Sequence, residues 1–77
     1  MYRYIVVKET LHTPELGRYE SFGIQVLCRT PNGWAPGVAV SDVSLDATVV
    51  ETLTQLCTRE QLDPVQLSEV VLDWLEG

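Results

Sequence analysis

The residues able to do chemistry in this chain are few, and their spacing does not suit it. His12 is the only histidine, and the two thiols, Cys28 and Cys57, stand far apart in sequence. A zinc or iron site needs more nitrogen, thiolate or carboxylate ligands than one histidine and two distant cysteines supply. A nucleophile needs a base within hydrogen-bond reach and a third group to orient that base. His12 is the only histidine base on offer, and both cysteines fall on apolar faces that read as core. Glu69 and Asp73 have helical i, i+4 spacing, but paired carboxylates do acid–base work only in a cleft that drives their pKa values apart. A chain of 77 residues has little volume to spare for one, so the pair reads as an exposed, like-charged helix face. Gly33 and Gly37 complete neither GxGxxG nor GxxxxGK[ST], so no phosphate cradle is expected. The reading is of no catalytic residue, no metal and no cofactor.

Aromatic side chains are the next candidates. Tyr2, Tyr4, Tyr19 and Trp34 could stack bases if a basic surface surrounded them, yet the chain has five Lys and Arg in total. Net charge is −6 and unevenly spread. Residues 1–40 hold Arg3, Lys8, Arg18 and Arg29 against Glu9, Glu15 and Glu20, a net of +1. Residues 41–77 hold only Arg59 against eight carboxylates, a net of −7. Phosphate backbones repel such a surface, so no nucleic-acid partner is expected. The acidic half reads as solvated helix faces that keep the protein soluble. Tyrosine and tryptophan also anchor protein interfaces, and this is the reading for Trp34, which sits at a turn where burial in its own core is difficult.

The elements that must position these residues follow from periodicity. Composition is ordinary for a folded domain, 45% hydrophobic and 21% charged, and the length supports one core and one domain over 1–77. Residues 2–10 are rich in β-branched and aromatic types and read as a strand. A connection is expected over Leu11 to Arg18, turned by Pro14 and Gly17. Residues 19–29 alternate cleanly, with Phe22, Ile24, Val26 and Cys28 on one face and Leu27 as the apolar exception on the other. Gly23 in mid-strand predicts a bulge or a close backbone approach. Pro31-Asn32-Gly33 predicts a tight turn into a third strand over 36–45. Its Val38 and Val40 share one parity and Val43 and Leu45 the other, so a one-residue bulge near Ser41–Asp42 is predicted to bring all four to the core.

The period then changes from two to about 3.6. Val49, Val50, Leu53, Leu56 and Cys57 make the stripe of a helix over 46–59, capped by Ser44 or Asp46. Asp63-Pro64-Val65-Gln66 opens a second helix over 64–75, with Gln66 placed to return a bond to the Asp63 N–H. Its stripe is Leu67, Val70, Val71, Trp74 and Leu75. The expected fold is α+β: a three-stranded antiparallel meander followed by a two-helix hairpin on one face of the sheet. The other face is left to solvent or a partner, and open sheet edges are templates for strand addition.

The segments Pro14-Glu15-Leu16-Gly17-x-Tyr19-x-Ser21-Phe22-Gly23-Ile24, Asp42-Val43-Ser44-Leu45-Asp46 and Leu62-Asp63-Pro64…Leu67-x-x-Val70-Val71 carry a resemblance. The chain resembles, over nearly its whole length, a family of short clostridial (Firmicutes) proteins known only as a domain of unknown function. The resemblance implies a bacterial, cytoplasmic protein and supplies no activity. In the family it resembles, a histidine often stands where this chain has Gln66, so the resemblance implies no histidine-dependent role at that position.

Two functions remain. The first is a protein-interaction or regulatory module without catalysis, using Trp34, Leu27, Tyr19 and Tyr2 to bind a protein partner or to self-associate as a homodimer. The second is a small-molecule binder or an enzyme whose site oligomerisation completes, drawing on His12, Glu15, Tyr19, Cys28 and Cys57. With no apolar run near the roughly 20 residues of a membrane span and no secretory signal, the expected setting is the cytoplasm, without a membrane partner.

Overall fold

The computed structural model describes residues 1–77. β1 (Tyr2–Thr13), β2 (Gly17–Thr30) and β3 (Gly33–Ser44) form one antiparallel sheet in the order β1-β2-β3. α1 (Ala47–Arg59), a 3₁₀ turn (Pro64–Gln66) and α2 (Leu67–Glu76) follow. This is the α+β meander-then-helices order that the change of period predicts.

The first hairpin is longer than its sequence suggests. Its strands continue to Thr13 and restart at Gly17, so the turn is only Pro14–Leu16 rather than the whole of Leu11–Arg18. Leu11 pairs with Tyr19 and His12 with Arg18, and the Thr13 Oγ1 accepts the Leu16 N–H at 3.0 Å. Gly17, at φ +69°, takes the left-handed turn position that glycine fills without a Cβ penalty.

Alternation decides the two faces. Tyr4, Ile24, Val26 and Val43 point to the helices and are buried with Val50, Leu53 and Cys57 of α1 and Leu67 and Val71 of α2. α1 lies mainly along β1, and α2 meets the sheet at β3. Asp46 caps α1 by accepting the Thr48 N–H at 2.9 Å. Asp63 accepts the Val65 N–H at 3.1 Å, but the turn it opens is 3₁₀. There Gln66 contributes its backbone N–H to the Asp63 carbonyl at 2.9 Å.

Two expectations about β3 and α2 are corrected. β3 carries a second irregularity, between the Gln25 and Leu27 pairings, which turns Val38 outward to 50% exposure. Leu45 lies beyond the strand, 69% exposed, where the chain leaves for the α1 cap. So only Val40 and Val43 of the four reach the core. On α2 the stripe is core at Leu67 and Val71, but Trp74 and Leu75 are exposed, the contact of α2 with the sheet being mainly with β3.

The edge of β1 is closed by side chains. Gln61 Nε2 donates to the Tyr2 carbonyl at 2.9 Å while its Oε1 accepts the Tyr2 N–H at 2.8 Å. The Tyr4 N–H donates to Thr58 Oγ1 at 2.9 Å. An amide that bonds both groups of one residue imitates a neighbouring strand, so this end of the edge offers no template for strand addition.

Candidate interaction surface

The helices cover one face of the sheet, and the other carries a patterned surface. From β1 it receives Arg3, Ile5, Val7 and Glu9, and from β2 Tyr19, Ser21, Gln25, Leu27 and Arg29. From β3 it receives Trp34, paired with Arg29, and Pro36, paired with Leu27. Ile5 and Trp34 are each more than a third exposed, and Val7 and Leu27 are half-buried. The Trp34 ring lies under the Arg29 guanidinium, 5.5 Å from ring centre to Cζ, within cation–π distance.

At the other end of this face lies a polar cluster built by the β3 bulge. Phe22 pairs with Ser44 and Ile24 with Val40, so Ser41, Asp42 and Val43 stand against Gly23 alone. Asp42 sits at φ 54°, a left-handed conformation that aspartate tolerates better than most residues. Its carboxylate accepts the Ser21 hydroxyl at 2.6 Å and the Tyr19 phenol at 2.9 Å. Glu9 reaches across from β1 to accept the Ser41 hydroxyl and the Asp42 N–H, each at 2.9 Å. The hydrogen bond to Asp42 raises the Tyr19 pKa, with the charges of Asp42 and Glu9 adding to it. Ion pairs form only elsewhere, at Lys8–Glu20 and Arg59–Glu60. Glu9 and Asp42 therefore present negative charge with no cation beside it, and Arg3 and Arg29 present positive charge with no carboxylate.

Three of the four residues predicted to mediate contacts, Trp34, Leu27 and Tyr19, share this face. Tyr2 does not. It faces the helices and packs against the core. The residues proposed for a composite site are scattered. His12 is ten residues along β1 from Tyr2, the partner of Cys28, which at about 3.3 Å per residue separates them by roughly 33 Å. Both thiols are free, and Cys57 is buried, its pKa pushed up by desolvation. A groove of ≈ 290 Å³ between the helices is lined by Leu56, Cys57, Glu60, Leu62 and Val70.

A family model matches residues 1–77 in full, that of DUF6514, a family of unknown function. The chain belongs to the DUF6514 family. No curated protein and no solved structure matches it. In this DUF6514 chain the motif segments Tyr19-x-Ser21-Phe22-Gly23 and Asp42-Val43-Ser44 meet at the bulge, where their polar side chains bond one another. Glu9, Ser41 and the bonds of Asp42 carry no signal of their own in sequence, since their partners lie 21 to 33 positions away.

Proposed function

We propose that this DUF6514 chain is a non-catalytic interaction module that binds protein through the outer face of its sheet. The observation that carries the reading is one-sided coverage: Ile5 and Trp34 are exposed and Leu27 is half-buried on the face of the sheet opposite the one the helices pack against. Tryptophan and arginine beside aliphatic side chains make up the composition that interface centres favour. The groove between the helices is a weaker candidate. Its ≈ 290 Å³ is at the small end for ligand sites, and Glu60 is its one polar lining residue, whereas ligand sites use several convergent polar groups. Acidic helices disfavour nucleic acid, and no helix is long and apolar enough to cross a membrane.

The double substitution Leu27→Ser with Trp34→Ala tests the reading. Both side chains are partly exposed, so the melting temperature is expected to fall by no more than about 10 °C. Association with protein, measured by pull-down and by solution mass, is expected to be lost. Association that survives in the folded variant contradicts it.

A further inference from the structure

We propose that the partner on the outer face is a second copy of this chain, docked face to face about a two-fold axis crossing the strands near Ile5, Gln25 and Ala39. The inference rests on the interaction reading above and names its partner. A two-fold interface uses one patch on both subunits, so the patch must complement itself. This one does, lengthwise. Arg3 and Arg29 stand at one end, Glu9 and Asp42 at the other, and Ile5, Val7 and Leu27 lie between. Rotation about an axis in the plane of the sheet and perpendicular to its strands lays each positive end over the partner's negative end. The apolar middles then meet each other. None of these four charges has an ion-pair partner within its own chain, so each is free to take one from the other copy.

The rest of the charge distribution argues for the same arrangement. From Asp46 onward the chain carries Arg59 against seven carboxylates. Any contact through the helices sets two strongly acidic surfaces together. Contact through the outer faces directs both helical layers away from the interface, with two sheets packed about 10 Å apart between them. Area sets the strength. Nine residues along three strands present a flat face of roughly 30 by 14 Å, so two copies bury less than the ~1,200 Å² of a stable complex. The dimer is therefore weak and reversible, and held in part by charge.

Light scattering after size exclusion, over a roughly hundredfold range of loading concentration, tests this on the full chain. The expected result is a mass rising from 8.6 kDa towards twice that value, with dissociation promoted by salt as screening weakens the end contacts. Arg3→Glu combined with Arg29→Glu is expected to raise the dissociation constant at least tenfold while leaving the circular dichroism spectrum unchanged, since both side chains lie in solvent. Leu27→Asp is expected to abolish the dimer. A wild-type chain that is monomeric throughout overturns the second copy as partner, and cross-linking from the same face then decides whether another protein takes its place. A dimer unchanged in both variants overturns the proposal and the outer-face reading together.

Discussion

Replacing Gly23 by alanine is expected to lower the melting temperature by roughly 10–25 °C, the largest effect of any single methyl added to this sheet. A Cβ at this position meets the Val40 backbone oxygen at 2.5 Å, with Glu9 Oε2 at 3.2 Å and the Ser41 Cα at 3.3 Å. The first of these is main chain in a paired strand and cannot rotate aside. The bulge must move, and with it the Ser41 and Asp42 bonds to Glu9. Overpacking costs about 1–3 kcal/mol, and the impaired hydrogen bonds to Glu9, which are exposed, add no more than about 1 kcal/mol each. A domain of this size is stable by only about 4–12 kcal/mol. Gly17→Ala is the control. There a Cβ meets nothing within 4 Å, and the whole penalty comes from φ +69°, about 1 kcal/mol. Differential scanning calorimetry distinguishes them, and a Gly23→Ala melt within a few degrees of wild type contradicts the close approach.

The second large effect is alkaline. Tyr4 is 4% exposed, donates its hydroxyl to the Leu62 carbonyl, and has its pKa pushed up to about 12, chiefly by desolvation, with the Cys57 and Asp63 charges adding to it. Since the folded value exceeds the unfolded 10.0, the contribution is fully present below pH 10. It is lost as pH rises through about 12. Two pKa steps correspond to about 2–3 kcal/mol. Cys57, also raised by burial, adds a loss of the same sign that begins lower. Urea unfolding of wild type and Tyr4→Phe from neutral pH to about pH 11.5 is expected to show a steep decline in wild type. The variant is expected to be less stable at neutral pH and to decline less above pH 10. Equal slopes contradict the assignment.

Much of the architecture could be read from the sequence because it rests on local patterns. Alternation from Phe22 to Cys28, the change of period after Leu45 and the Asp46 and Asp63 caps each have a short-range cause. The place of the bulge near Ser41–Asp42 could be inferred too, because Val40 and Val43 have opposite parity and both are inside, but not its size: three residues stand against Gly23 where a one-residue bulge is predicted. What escaped is what depends on distance. Val38 turns outward because of a second irregularity beside Gly37 that no parity conflict announces. Trp74 and Leu75 carry a helical stripe with the right period, but nothing local says that α2 touches the sheet mainly at β3. Thr58 and Gln61 close the β1 edge from more than fifty positions away, as polar residues on no apolar face. For the candidate surface, Leu27 was visible as an apolar intruder on a polar face and Trp34 as a turn-borne aromatic. Tyr2 was misplaced because the parity of β1 is ambiguous until its register against β2 is known. The arrangement of opposite charges at the two ends depends entirely on that register.

The central claim is that the outer face of the sheet is where this protein meets protein. The most direct measurement is site-specific photo-cross-linking, with a photoreactive side chain at position 27 and, in a separate preparation, at Thr52, an exposed position on α1. Irradiation in native lysate and of the purified chain is expected to give discrete protein adducts from position 27 and none from position 52. An adduct pattern that is absent at position 27, or the same at both positions, contradicts it.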